Sequence, residues 1–172
     1  MDKIDAITLK MIAFDAGSAE RIQHFIKVHR FAQLIGRGEH LDPHTQFVLE
    51  CTALVHDIGI GPSTEKYGYC NGELQEKEGP AYARQLLCAF DLPEEDIERV
   101  CYLVGHHHTY DNIDGIDYQI LVEADFLVNL HERQTSKEGV VTTLDRIFKT
   151  RTGIQLCETL FGVHQSSKTA SH

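Results

Sequence analysis

The chain has neither the long apolar runs nor the terminal pattern that mark membrane and secreted proteins. Across its 172 residues, no apolar stretch reaches the roughly 18 residues that a membrane span requires. Residues 1–5 lack the basic and then apolar order of a secretory signal peptide. We therefore expect a cytoplasmic protein without a membrane partner.

Paired cysteines and an excess of basic residues are also missing. The five cysteines are odd in number and scattered, and no two of them form a Cys-x-x-Cys pair. Because most of them lie in apolar helical patterns, we expect reduced core residues rather than a disulfide framework. The formal net charge of −10 argues against a nucleic-acid surface, which would be basic.

The sequence shows neither an internal repeat nor a linker long enough to divide it. Its length and its apolar content of 42% favour one globular domain with a sizeable core. We predict a single domain over residues 1–164 and a disordered tail over residues 165–172. A homo-oligomer is compatible with the sequence, but nothing in it indicates one.

The patterns that are present are those of helices. Apolar residues at spacings of three and four predict an amphipathic helix that begins after Ser18 and ends near Ile35. Asp42 and Pro43 predict the cap and first turn of a helix that ends near His56. The chain is therefore predicted to be an all-α, single-domain bundle of about six to eight helices. The other predicted helices cover about residues 3–14, 74–90, 117–132, 139–150 and 153–161, and one more begins after Asp91.

Two glycine-containing polar segments separate these helices. Residues 58–72 carry several glycines and Pro62, and they are predicted to form an irregular loop. Residues 108–116 are predicted to form a second polar loop. Long loops in compact domains often cover binding sites, so we expect the first loop to select the substrate of any site beside it.

Strong polar residues interrupt three of the apolar helical patterns. His56 and Asp57 end the apolar run of residues 51–55, and Asp125 lies inside another such run. His24 lies on the apolar stripe of its helix, whereas His29, about 140° further around, should face away from the core. Burying such groups is costly unless they are paired or hold a ligand.

One shared metal ion accounts for all three insertions. Two imidazoles and two carboxylates form a mixed nitrogen and oxygen set that suits zinc, manganese, iron, nickel or cobalt better than calcium. Separate explanations also exist: His24 can be a hydrogen-bonded core residue, and His56 with Asp57 a pair at a helix end. Asp125 can cap a helix or form an ion pair with Arg133 or Arg146.

The order of these residues resembles the HD superfamily of metal-dependent phosphohydrolases. The resemblance includes ALVHDIG at residues 53–59 and VEADFLVNL at residues 122–130, and it extends over about residues 20–132. It implies an all-helical bundle and a divalent metal, with Mg²⁺ as a further candidate. The implied metal ligands are His24, His56, Asp57 and Asp125.

A run of three histidines follows Leu103. Family members with two metals carry a histidine pair that matches His106 and His107, so the resemblance makes both candidates for a second metal or for contacts beside the first. Helical spacing from Leu103 places His106 on the inner face, and we expect His108 to face solvent. The alternative is a surface run of histidines, favourable at a helix C-terminus when protonated.

The sequence departs from the family pattern at positions that would name a substrate. Gln75 stands where members with two metals usually carry a histidine, so one tightly bound ion is expected rather than two, although Glu76 or Glu78 can substitute. Ile60 and Gly61 replace the acidic residues of members that hydrolyse nucleotides or the alarmone guanosine tetraphosphate. Residues 114–118 lack the Gly-Tyr-Pro signature of members that act on cyclic dinucleotides.

The resemblance implies hydrolysis of a small phosphorylated metabolite or nucleotide by metal-activated water. A di-iron oxygenase of the same fold is an alternative, and it needs a second iron held by His106 and His107. A regulatory module that binds without turnover is another, against which the complete ligand set argues mildly. The candidate residues for catalysis are Asp57, His106, Glu73, Glu76 and Lys27, and those for substrate binding in the predicted loop are Lys66, Tyr67 and Asn71.

Overall fold

The computed structural model describes residues 1–166, and this part of the chain contains helices and no strand. The predicted all-helical bundle is therefore confirmed. Most of the predicted tail lies outside the described residues, but the backbone N–H groups of Gln165 and Ser166 donate to Glu158 and Asp145. The α-helices over residues 1–166 are α1 (Lys3–Phe14), α2 (Ala19–Gly38), α3 (Pro43–Val55), α4 (Ile60–Tyr67), α5 (Gly72–Leu87), α6 (Glu94–Val104), α7 (Ile116–Glu132), α8 (Lys137–Ile147) and α9 (Arg151–Phe161), with a 3-10 turn at Cys88–Phe90.

Helix α3 lies between two apolar clusters and is buried over residues 48–55. Leu49 and Ala53 belong to a cluster built with α2, α7, α8 and α9. Cys51 and Leu54 belong to a second cluster built with α1, α5 and α6. Because both faces of α3 are covered, its C-terminal end lies deep inside the protein, and the polar residues that follow it are forced into the interior.

Helices α2 and α3 begin where the sequence predicts, but the predicted end of α2 is wrong. The Asp42 carboxylate accepts hydrogen bonds from the backbone N–H groups of His44 and Thr45, as expected of an N-cap. Helix α2 continues past Ile35 to Gly38. A side chain at Gly36 or Gly38 would collide with residues of α3 or α9, so these glycines allow close helix packing here rather than ending the helix.

The predicted loop over residues 58–72 is a second correction, because it contains helix α4. Pro62 lies in the first turn of α4, where its missing N–H group has no intrahelical partner to lose. Gly68 ends the helix in the left-handed conformation, with φ of 78°. The glycines and the proline thus mark the two ends of a short helix, not an irregular segment.

The five cysteines are all free thiols, as predicted, but not all of them are core residues. Cys51 and Cys157 are buried, whereas Cys88 is exposed in the 3-10 turn. Over residues 1–166, no helix is long and apolar enough to cross a membrane.

Candidate metal centre

Four side chains from three parts of the bundle converge on one point. His24 comes from α2, His56 and Asp57 follow α3, and Asp125 comes from α7. His24 Nε2 lies 3.1 Å from Asp125 Oδ1 and 3.4 Å from Asp57 Oδ2. His56 Nε2 lies 3.5 Å from Asp57 Oδ2 and 3.6 Å from Asp125 Oδ1. These are the four ligands that the sequence resemblance implies, and both imidazoles face both carboxylates.

The buried imidazole of His56 has one satisfied nitrogen and one free nitrogen. Its Nδ1 donates to the backbone carbonyl of Ala53 at 2.9 Å, and its Nε2 has no hydrogen-bond partner among the described residues. An unpaired polar atom in the interior is costly, so such an atom indicates a missing ligand. Because His56 Nε2 points toward two carboxylates, a cation is the ligand that fits.

The charges of the cluster shift the pKa values of its members. Burial alone would lower the pKa of His24, but the carboxylates of Asp125 and Asp57 outweigh it and raise the pKa to about 9. Burial alone would raise the pKa of Asp57, but the neighbouring imidazoles of His56 and His107 hold it at about 2. The cluster therefore attracts positive charge, which protons supply in the absence of a metal.

Asp57 also faces a second group of ligand atoms. Its Oδ1 lies 3.4 Å from Nε2 of the buried His107, and that nitrogen is also without a hydrogen-bond partner in the described part of the chain. Asp57, His107 and His108 offer ligand atoms within 4.8 Å of one another. Gln75 Oε1 contacts His108 Nε2 at 2.7 Å, so one nitrogen of this group already has a partner.

Two predictions about the histidine run are wrong. His106 does not share the inner face: its Nδ1 donates to the carbonyl of Tyr102, and its ring stacks on the Tyr102 ring. His107 takes the inner position instead, because α6 ends at Val104 and helical spacing no longer applies beyond it. His108 does not face solvent freely, since it contacts Gln75 and is only partly exposed.

The other predicted site residues lie beside the centre or away from it. Lys27 donates to Glu132 and does not line the cleft that contains the metal ligands. The Glu76 carboxylate accepts from the backbone N–H of His108, and Glu73 is exposed in the first turn of α5. The residues predicted to bind substrate make other contacts: Lys66 and Tyr67 both donate to Glu78, and Asn71 caps α5.

A cleft of about 240 Å³ opens over the centre, and sequence reasoning missed several residues of its walls. Arg21 and Arg133 bring positive charge to it, and Asn129 donates to Asp125 Oδ1 at 2.8 Å. The sequence spacing between cleft residues and the metal ligands could have indicated their position. Arg21 lies three residues before His24, and Asn129 lies four residues after Asp125, so each shares a helix face with a ligand, whereas Arg133 follows the end of α7.

Comparison with known proteins adds a family match. A family model described as HD domain matches residues 21–148, which is most of the chain and includes all four side chains of the centre. No curated protein and no solved structure matches the sequence.

Proposed function

The chain belongs to the HD domain family, a superfamily of metal-dependent phosphohydrolases, and we propose that it hydrolyses the phosphate ester of a small metabolite or nucleotide. The observation that carries the proposal is the free Nε2 of the fully buried His56, which faces two carboxylates at the floor of the cleft. Nothing in the four-residue cluster itself satisfies this nitrogen, and a divalent cation would.

The donor set fits a divalent transition metal such as manganese, iron, cobalt, nickel or zinc, with magnesium as a further candidate. His24, His56, Asp57 and Asp125 would hold it. When bound, such a cation would lower the pKa of a bound water toward neutrality and offset negative charge on a phosphoryl oxygen.

The remaining work falls to residues of this chain. The Asp57 side chain is 20% exposed, so its carboxylate can accept a hydrogen bond from the attacking water and orient it. The guanidinium group of Arg133, and that of Arg21, whose Nε is paired with Asp15, supply the cationic donors that phosphate oxygens require. Asn129 donates to Asp125 and fixes the orientation of that carboxylate. Phosphoryl transfer depends mainly on such positioning and charge stabilisation.

The test is release of inorganic phosphate by the full chain loaded in turn with Mn²⁺, Fe²⁺, Co²⁺, Ni²⁺, Zn²⁺ and Mg²⁺. Phosphomonoesters, phosphodiesters and nucleotides form the substrate panel. We expect Asp57→Ala to lower the activity by at least about 100-fold, because it removes a metal ligand and the group that orients water.

The matched control is Asp5→Ala, which removes an exposed acidic side chain of α1 and should leave the activity unchanged. Activity that survives Asp57→Ala would contradict the proposal, as would a chain that binds metal but releases no phosphate from any member of the panel.

A second candidate function is oxidation by a di-iron centre. It is favoured by the position of Asp57, whose Oδ2 faces His24 and His56 while its Oδ1 faces His107, but His106, the other predicted ligand of a second iron, stacks on Tyr102 instead. The arrangement around Asp57 is the one expected of a carboxylate shared between two ions. Two irons per chain, a mixed-valence magnetic signal and oxygen consumption would favour this function over hydrolysis.

A further inference from the structure

Glu132, in the last turn of α7, joins the metal centre to a lysine on α2. Its Oε2 lies 2.8 Å from Nδ1 of His24, and its Oε1 accepts a hydrogen bond from Nζ of Lys27. Each carboxylate oxygen therefore has one partner. The other two inward-facing imidazoles differ, because His56 and His107 donate Nδ1 to backbone carbonyls rather than to a carboxylate.

We infer that Glu132 is a positioning residue for His24 and that Lys27 holds Glu132 in place, an inference that rests on the metal centre of the proposed function. A carboxylate that accepts from Nδ1 keeps the proton on that nitrogen, so that Nε2, which faces Asp57 and Asp125, is the nitrogen that can bind a cation. The same contact makes Nε2 a stronger electron-pair donor to a cation.

The position of His24 makes such a support necessary. His56 and His107 follow helix ends, where free backbone carbonyls are within reach, whereas His24 lies in the middle of α2. Within α2, the backbone carbonyls are already used by the helix. A side chain from another helix must therefore orient His24, and Glu132 is the carboxylate that contacts its Nδ1.

Lys27 orients the carboxylate of Glu132, as Glu132 orients the imidazole of His24. Its side chain lies one turn after His24 on α2, and its ammonium group contacts the carboxylate oxygen that His24 leaves free. This contact restricts rotation of the carboxylate, which is 33% exposed and would otherwise be open to water. Lys27 is thus assigned to support of the centre and not to direct contact with phosphate.

The alternative is that the three residues only tie α2 to α7. A structural tie would affect the stability of the metal-free protein and leave its metal affinity unchanged. Metal affinity and the electronic spectrum of a bound cation are therefore the readouts that separate the two roles.

The experiment measures the dissociation constant of Co²⁺ and its visible absorption spectrum in the full chain, together with the unfolding temperature of the metal-free protein. We expect Glu132→Ala to weaken Co²⁺ binding by about 10- to 100-fold and to change the spectrum. Glu132→Gln retains an acceptor oxygen and should lie between the wild type and Glu132→Ala. Lys27→Met keeps the aliphatic stem and should weaken binding less than Glu132→Ala.

The control is Glu94→Gln, which breaks an exposed ion pair with Arg84 elsewhere on the surface and should leave Co²⁺ binding unchanged. Wild-type Co²⁺ affinity and an unchanged spectrum in Glu132→Ala would overturn the inference. If Glu132→Ala does not fold, Glu132→Gln takes its place in the test. An increase in KM for substrate with unchanged Co²⁺ affinity in Lys27→Met would overturn the role of Lys27.

The Co²⁺ affinity, the absorption spectrum and the unfolding temperature do not depend on turnover. If the wild type binds Co²⁺ and the variants weaken that binding while no phosphate is released, the proposed function fails and the inference stands. If phosphate is released and Glu132→Ala binds Co²⁺ like the wild type, the inference fails and the proposed function stands.

Discussion

At the scale of single residues, two inward-facing imidazoles are oriented by the same kind of hydrogen bond to a backbone carbonyl. His56 Nδ1 donates to the carbonyl of Ala53 and His107 Nδ1 to that of Val104, in each case three residues earlier in the chain. Both histidines follow the end of a helix, where carbonyl groups have no intrahelical partner. The helix end therefore satisfies one ring nitrogen and leaves Nε2 free for a ligand.

Arg133 gives the first prediction at this scale. Arg133→Ala should raise KM for a phosphorylated substrate by about 10-fold or more, because a charge-assisted hydrogen bond to phosphate contributes about 1.5–3 kcal/mol. The value of kcat should fall less than kcat/KM. Steady-state kinetics and inhibition by inorganic phosphate provide the measurement, and Arg37→Ala, at an exposed position near the end of α2, is the control. An unchanged KM together with an unchanged phosphate inhibition constant would remove Arg133 from the phosphate site.

The residues of the centre were predictable where helical spacing applies. His24 is buried, as its position on the apolar stripe predicts, whereas His29 does not face away from the core but contacts the buried carboxylate of Glu50. His106 was misplaced because spacing was extended beyond the last residue of α6. Glu132 was not identified because an acidic residue near a helix end is usually solvated, although it lies two turns after Asp125 on the same face.

At the scale of helices, the turn between α3 and α4 packs directly on the backbone of α5. A Cβ atom at Gly59 would lie 2.8 Å from the carbonyl oxygen of Gln75 and 3.0 Å from the backbone nitrogen of Gly79. The position therefore admits no side chain without movement of α5. Asp57 and Ile58 precede Gly59 in this turn. The contact at Gly59 therefore sets how closely Gln75 approaches these two residues.

Gly59→Ala should accordingly destabilise the protein by about 1–3 kcal/mol, the usual cost of overpacking a close contact. Chemical denaturation measures this change in the free energy of unfolding. The matched control is Gly61→Ala two residues later, where an added Cβ would meet only the flexible end of Arg21 at 3.9 Å. Because Gly61 lies within α4, alanine there should be neutral or stabilise by up to about 1 kcal/mol. Equal stability changes in the two variants would show that the contact with α5 is not tight.

The helices were predictable from their caps and apolar stripes, and the errors have physical causes. The bounds predicted for the first helix, residues 3–14, agree with α1, and Asp42 caps α3 as expected. Helix α4 was missed because proline and glycine usually interrupt helices, whereas Pro62 occupies a first turn. Whether a proline or glycine lies within a helix or ends it depends on its position relative to the helix end. Composition does not give that position.

At the scale of the whole molecule, the bundle gathers its polar groups at one buried point. Helix α2 packs along both α3 and α7, and these three helices bring the four ligands together. The sequence predicted that the four ligands converge only through its resemblance to a family. Helical spacing shows which face of a helix is buried but not which helices lie beside it. The packing of α3 between two apolar clusters supplies the rigidity that keeps these carboxylates and imidazoles inside.

Burial of this cluster couples metal binding to the stability of the fold. Two carboxylates and two imidazoles face one another in the interior, an arrangement that a cation stabilises in the folded chain and that does not exist in the unfolded chain. A cation at 100 times its dissociation constant should add about 2.7 kcal/mol to the free energy of unfolding. For a chain of this length, that corresponds to roughly 5–10 °C in the unfolding temperature.

Calorimetry of the chelator-treated and the Mn²⁺-loaded protein measures this difference. In Asp57→Ala the difference should largely disappear, because the variant lacks a ligand that faces both His24 and His56. In the metal-free state Asp57→Ala should itself lower the stability, because it removes a carboxylate that the imidazoles of His56 and His107 hold ionised and leaves those imidazoles without this partner. Equal unfolding temperatures for the chelated and loaded wild type would show that the cluster is satisfied by protons alone.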